Sequence, residues 1–259
     1  MDLVHMDNRN HSANVLIHLH MPKTGGTTLK KIIKRNYDSR KSVDVYEEHH
    51  KLPGIFKGLS KQNIECVQGH LPFGVHEYFN RPTTYITMLR DPVDRVISEY
   101  YFIRNIEWHN LHESVMKMSL EEYQALPKNR NLQTRYILGG QLTSVTEVNR
   151  AKNILKNHFA VVGLTEKFDA SLFLMKEMFN WKQVAYQKYN VTKKRRSKEE
   201  ISPNLLEKIA KNNEADLELY AFAKELLTKR IRALDPLSAY RLKRFERKHQ
   251  QGFHGKRDR

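Results

Sequence analysis

The sequence predicts a three-layer α/β fold in which helices flank a central parallel sheet. Three observations carry the prediction. An apolar run, Val15-Leu16-Ile17-His18-Leu19, passes through a Gly25-Gly26 pair into a stretch with Leu29, Ile32 and Ile33 at helical spacing. Further along, short β-branched or aromatic runs alternate with amphipathic stretches, the pattern of strands joined by crossover helices. The chain has 259 residues, enough to bury a substantial core, and no internal repeat or low-complexity linker divides it. We therefore expect a polar, flexible lead over 1–13, one domain over 14–240, and a basic, mobile tail over 241–259.

Taken in order, a buried strand over 15–20 leads through the glycine loop into a helix over 27–36. Val43-Asp44-Val45-Tyr46 reads as a short strand, followed by a His-containing loop with Pro53 and Gly54. Ile64-Glu65-Cys66-Val67-Gln68 reads as the next strand, stopped by Gly69 and Pro72. Residues 83–89 are β-branched and aromatic and start just after Pro82. Asp91 then caps a helix with Pro92 at its first position, and Val93, Val96, Ile97, Tyr100 and Tyr101 form its apolar face. Ser119-Leu120-Glu121-Glu122 matches a capping box. Helices are predicted over 131–140, 146–157 and 165–179, with a buried strand over 159–163. Ser202-Pro203 opens the last helical stretch, broken near Asn212-Asn213.

Composition narrows the function. With 39% hydrophobic and 29% charged residues the chain is globular rather than disordered. Lysine and arginine number 45 against 29 acidic residues, a net charge of +16 that calls for a partner rich in phosphate, sulfate or carboxylate. Cys66 is the one cysteine, which excludes an intrachain disulfide and fits a reducing compartment. No apolar run approaches the ~18 residues of a membrane span, and the first ten residues lack a signal-peptide core. A cytoplasmic protein without membrane insertion is expected.

The glycine loop has the chemistry of an anion cradle. Where a strand turns into a helix N-terminus, backbone N–H groups and the helix dipole converge, and Lys23 adds a mobile charge. Gly25 and Gly26 admit close approach, while Thr27 and Thr28 offer a helix cap and hydroxyls. The fold is thus P-loop-like, yet the loop departs from G-x-x-x-x-G-K-[ST]: its lysine precedes both glycines. In parallel sheets, ligands bind beyond the carboxyl ends of the strands. That rule selects the Lys23 loop, His70 and Arg90.

Two stretches carry a family resemblance. Pro22-Lys23-Thr24-Gly25-Gly26-Thr27-Thr28, with Met88-Leu89-Arg90-Asp91-Pro92-Val93-Asp94-Arg95-Val96-Ile97-Ser98-Glu99-Tyr100-Tyr101-Phe102, resembles the paired signatures of sulfotransferases that use 3′-phosphoadenosine 5′-phosphosulfate (PAPS). The likeness is closest to the heparan and chondroitin uronyl 2-O-sulfotransferases and their bacterial relatives. Gln68-Gly69-His70-Leu71-Pro72-Phe73-Gly74 looks like the segment that supplies their catalytic histidine. Asn131-Leu132-Gln133-Thr134-Arg135-Tyr136, Val161-Val162-Gly163-Leu164-Thr165-Glu166 and Asp216-Leu217-Glu218-Leu219-Tyr220 are also similar.

The resemblance implies that Lys23, Thr24, Gly25, Gly26, Thr27 and Thr28 hold the 5′-phosphosulfate and that Arg90 and Ser98 hold the 3′-phosphate. Eight residues separate that pair, just over two helical turns, so both can meet one phosphate lying against the helix. Arg195 and Arg196, in the basic run 193–198, are candidates to close over the cofactor. Lys23 and His70 are the catalytic candidates, the lysine stabilising charge on the leaving oxygen and the histidine taking the acceptor's proton. His76, Gln133 and Arg135 are candidate acceptor contacts, with His76 also an alternative base. His20 abuts the loop and could orient it. No metal is expected, since His49, His50 and His70 lack a ligand spacing. The expected reaction is sulfuryl transfer from PAPS to a carbohydrate hydroxyl, an acidic glycan above all, releasing adenosine 3′,5′-bisphosphate. A P-loop kinase or nucleotide hydrolase, or a basic nucleic-acid-binding protein, is the alternative.

Overall fold

The computed structural model describes residues 14–142, 144, 147–186 and 196–254, with side chains to residue 249. The strands are β1 (Val15–Leu19), β2 (Ser42–Val45), β3 (Cys66–Gly69), β4 (Thr83–Leu89) and β5 (Phe159–Leu164). Helices α1 (Gly26–Asn36), α2 (Leu52–Leu59), α3 (Pro92–Arg104), α4 (His112–Met116), α5 (Leu120–Ala125) and α6 (Leu132–Leu138) come first along the chain. They are followed by α7 (Glu147–His158), α8 (Phe168–Phe179), α9 (Pro203–Lys211), α10 (Glu214–Arg232) and α11 (Pro236–His254).

All strand pairs are parallel, in the order β2-β3-β1-β4-β5. Strand β1 is therefore central and covered on both faces, which is why four of its five residues are apolar and all are buried. The chain leaves β1 toward β2 on one side and later crosses from β3 to β4 on the other. This reversal opens a crevice at the carboxyl end of β1. Register fixes what lines it: Leu19 lies opposite Gly69 of β3 and Thr87 of β4. The residues that follow these three strands, the Lys23 loop, His70 and Arg90, thus share one edge of the sheet.

Local signals set the helices that matter here. Asp91 accepts the Asp94 N–H at 2.9 Å and caps α3, with Pro92 at its first position. The apolar face of α3 buries Val93, Val96, Ile97, Tyr100 and Ile103 in a second, smaller core with Tyr123, Ile201 and Ile209. The capping box at Ser119 is complete, and Ser202 caps α9.

Two expectations need correction. Residues 52–59, read as loop, form α2, because Leu52, Phe56 and Leu59 bury one helical stripe and Pro53 sits harmlessly in the first turn. The basic tail is helical to residue 254: Leu242 is 5% exposed and the Phe245 ring meets Phe173 at 5.8 Å. Three- and four-residue spacing of Leu242, Phe245 and His249 gives α11 an inward face that its charge obscures. The lead over 1–13 and the final residues 255–259 lie outside the described residues. No described helix is long and apolar enough to cross a membrane.

Candidate active site

The loop between β1 and α1 is tied down by groups from the ends of two other strands and by a bond of its own. Lys23 and Gly25 both take the left-handed backbone region, at φ +67° and +82°. For a lysine this conformation is uncommon and is retained where surroundings fix it. Here the Arg90 guanidinium donates to the Lys23 carbonyl at 3.1 Å, and the Thr165 hydroxyl, beyond β5, donates to the Thr24 carbonyl at 2.8 Å. The Thr24 hydroxyl donates to the Met21 carbonyl at 2.9 Å, so it serves the loop itself. At Gly26 a side chain is excluded: a Cβ would lie 1.8 Å from Cδ2 of His20.

Gly25 is the N-cap of α1, and no side chain caps that helix. Thr27 and Thr28 lie in its first turn instead, contrary to the capping role expected of them. A helix N-terminus at the sheet's carboxyl edge, uncapped by side chains and entered through two left-handed residues, is built to receive an anion. The Lys23 Nζ stands 3.7 Å from the centroid of the Phe102 ring on α3.

Arg90 is set by its backbone. Its N–H donates to the Gln133 Oε1 at 2.9 Å, and the Gln133 Nε2 donates back to its carbonyl at 2.9 Å. Gln133 is 1% exposed, which makes it a residue that positions Arg90 rather than the acceptor contact expected from sequence. Its helix, α6, is anchored in turn by Asp216. That buried carboxylate accepts the N–H of Gln133 at 3.0 Å and both the N–H and hydroxyl of Thr134 at 2.7 Å. Ser98 lies on α3, 3% exposed. Lys198 reaches the start of α3 and pairs with Asp91 at 2.9 Å. Arg196 is exposed, and Arg195 lies outside the described residues.

His70 stands among rings. The backbone N–H of His20 donates to the Gly69 carbonyl at 2.9 Å, extending the β1–β3 ladder and bringing His20 beside His70. Their ring centroids are 5.1 Å apart, and Tyr46, just past β2, meets His70 edge-on at 4.8 Å. His76 is elsewhere. Its backbone N–H and Nδ1 each lie 3.0 Å from the Tyr85 hydroxyl, among Phe73 and His158, toward the amino-terminal half of β4. It is not brought together with Lys23 and Arg90. Arg135 donates to the Lys128 carbonyl at 2.5 Å, and burial lowers its pKa. Among the described residues no group of three or more His, Cys, Asp or Glu side chains is placed to hold a metal ion.

Residues 10–223 match the Sulfotransferase family. The chain belongs to the sulfotransferase family. Among similar proteins, heparan-sulfate 6-O-sulfotransferase 1 of Cricetulus griseus is 26% identical over 276 residues, covering 84% of this chain and 68% of that protein. Heparan-sulfate 6-O-sulfotransferase 2 of Homo sapiens is 27% identical over 300 residues, covering 92% and 49%. This sulfotransferase-family chain thus spans about half to two thirds of those relatives' length. Both names carry a 6-O designation, where the motifs suggested the uronyl 2-O enzymes. The crystal structure of mouse sulfotransferase SULT7A1 complexed with PAP aligns with TM-score 0.38 and 13% identity, covering 77% of this chain and 63% of that one.

Sequence reasoning gave no role in the site to four residues of the cleft, three of which lie within the stretches that carry the family resemblance. Tyr46 and Phe102 wall His70 and Lys23, respectively. Thr165 fastens the loop. Glu99, one residue past Ser98, accepts from the buried Arg95 at 2.8 Å, and its charge favours the protonated form of His70. The i, i+4 spacing of Arg95 and Glu99 was the available signal.

Burial holds the site's histidines neutral. His18 and His70 are each lowered to about 4, chiefly by desolvation, and His20 is well below its ordinary value for the same reason. The unfolded chain takes up these protons near pH 6.5, so folding stability is full above that pH and falls on acidification until the folded histidines titrate. By linkage His18 and His70 each account for about 3 kcal/mol once pH reaches 4. Thermal unfolding followed from pH 7.5 to 4.5 should show Tm falling steeply below 6.5, and less steeply in His18→Gln. A flat profile over that range would contradict the burial of these rings.

Proposed function

We propose that this chain transfers the sulfuryl group of PAPS to a hydroxyl of a carbohydrate, with His70 as the base. One observation carries the reading: neighbouring strands β3, β1 and β4 deliver a histidine, an anion-binding loop and an arginine to one edge of the sheet. A cavity of about 310 Å³ along α1, lined by Thr28, Lys31, Lys34, Arg35 and Tyr186, adds cations and an aromatic ring suited to an anionic nucleotide.

PAPS supplies an activated sulfuryl group, which passes in line to the acceptor oxygen as the bridging oxygen leaves on adenosine 3′,5′-bisphosphate. The first turn of α1 and the loop from Lys23 to Thr28 hold the 5′ end by backbone N–H groups and hydroxyls. Arg90 and Ser98 hold the 3′-phosphate, with Arg195 and Arg196 adding charge from the basic run. Lys23 stabilises the negative charge that grows on the bridging oxygen. His70, neutral at pH 7, takes the proton of the attacking hydroxyl. Glu99 then steadies the resulting imidazolium, since its charge already favours that form.

An acidic glycan is the acceptor class that the +16 charge and the relatives' names support. Trp108, 83% exposed, sits next to His109, whose ring meets Phe102 beside Lys23; an aromatic face there suits a sugar ring. The cytoplasm is the compartment we propose, because the buried Cys66 is a free thiol.

Calorimetry with adenosine 3′,5′-bisphosphate tests the reading. Arg90→Ala should weaken binding by about 10–100-fold, through loss of charged hydrogen bonds to phosphate and of the tie to the Lys23 carbonyl. If the unaltered chain does not bind this nucleotide, the proposal fails. Labelled PAPS offered with acidic glycans then identifies the acceptor.

A further inference from the structure

We propose that Tyr46 is a positioning residue for His70: its ring and that of His20 form a notch that fixes the base. This rests on the reading of His70 as the base, and it assigns a role to a residue that carries no motif.

The geometry begins at β1. His18 and His20 stack with centroids 5.4 Å apart and an interplanar angle of 13°, both buried at 0% and 7% exposure. Alternation along an ideal strand would send these two side chains to the same face, and here they do lie together. His18 Nδ1 lies 3.5 Å from the Gln68 Oε1, and the Gln68 amide donates to Asp44 at 3.0 Å. On its other side His20 lies flush on Gly26, the residue that opens α1. The stack is thus bounded by Gln68 at one end and Gly26 at the other.

Tyr46 completes the notch. Its hydroxyl lies 2.9 Å from the His20 Nδ1, and its ring stands at 88° to His20. The Lys30 Nζ sits 4.2 Å from the centroid of the Tyr46 ring while pairing with Asp44 at 2.9 Å, so α1 clamps the end of β2. His70 meets both walls obliquely, at 62° to His20 and 79° to Tyr46. Edge-to-face packing of this kind fixes a ring's plane as well as its place. The charged and titratable groups facing His70 are His18 from β1, His20 just past it, Tyr46 just past β2, Lys30 from α1, His49 from the turn after β2 and Glu99 from α3. Tyr46 is the one whose loss both opens the imidazole to water and releases its neighbour.

The role is structural toward His70 and indirect toward the acceptor, so the test separates orientation from folding. Tyr46→Phe keeps the wall and removes the hydroxyl; Tyr46→Ala removes both. Tyr46 is 37% exposed, and Tm together with calorimetry against adenosine 3′,5′-bisphosphate checks that each variant is folded. Expected are nucleotide affinities within about twofold of the unaltered chain and a kcat lowered about tenfold in Tyr46→Phe and about 100-fold in Tyr46→Ala. In Tyr46→Ala the His70 Cε1–H resonance, followed by NMR, should titrate at least about one pH unit higher, toward the ordinary imidazole value. The NMR titration needs no turnover. If the unaltered chain transfers no sulfuryl group, the functional reading fails while the titration still decides whether Tyr46 shields His70. An unchanged His70 titration, unchanged kcat in both variants, or a fall in kcat matched by a fall in nucleotide affinity overturns the proposal.

Discussion

Replacing His70 by alanine should abolish transfer and leave affinity for adenosine 3′,5′-bisphosphate nearly unaltered. A positioned base contributes about 10²–10⁴ in rate, so kcat should fall by at least the lower figure. Affinity survives because the groups placed to hold the nucleotide, the α1 N-terminus and Arg90, are tied to Thr165, Gln133 and each other rather than to the imidazole. The pH dependence gives a second check. Burial lowers His70 to about 4, so the neutral, proton-accepting form persists well below pH 6.5. The acid limb of kcat/KM, which reports the free enzyme, should therefore fall through about pH 4. The limb of kcat should lie higher, since a bound anionic nucleotide favours the imidazolium. Transfer that persists in His70→Ala would move the base elsewhere. His76 is poorly placed to inherit the role, packed as it is against Tyr85 and His158.

Lys23→Met should lower kcat by about 10²–10³, the range for removing one electrostatic contact to developing charge. Methionine keeps the unbranched stem and ends one atom short of the ammonium, so the loss reports chiefly the charge. Two features argue that this ammonium is held for chemistry. Its residue carries a left-handed backbone that glycine would adopt more easily, and its position over an aromatic face pre-orients a flexible side chain. Nucleotide affinity should change far less than kcat, because backbone N–H groups remain to bind the 5′-phosphate. Steady-state kinetics beside calorimetry separates the two, and a kcat within about fivefold of the unaltered chain would remove Lys23 from the transition state.

What the sequence made legible follows the range of the interactions involved. Strand β4 and the Asp91 cap were readable because β-branching, Pro82 and an N-cap act within a few residues. The family motifs named Lys23, Arg90 and His70 as candidates, and the strand order brings the three to one edge of the sheet. Helix α2 was hidden because Pro53, Gly54 and Gly58 punctuate it, while the three residues that make it helical earn their place only by packing. Helix α11 was masked by charge in the same way. Gln133 was read as an acceptor contact, and only the fold reveals that both ends of its amide are spent on the Arg90 backbone. Tyr46 could not be found from sequence. Its neighbourhood with His20 and His70 exists because β3 pairs between β1 and β2, an order no local pattern encodes.

The Asp216 carboxylate has a consequence for how the molecule comes into being. It sets α6, α6 sets Gln133, and Gln133 sets the backbone of Arg90. Yet Asp216 belongs to α10, which leaves the ribosome after all five strands have been made. A nascent chain can finish its sheet and its anion loop and still lack the group that aims its arginine. The backbone geometry of Arg90 is therefore completed late in synthesis, with the docking of a helix at the far end of a relay of hydrogen bonds.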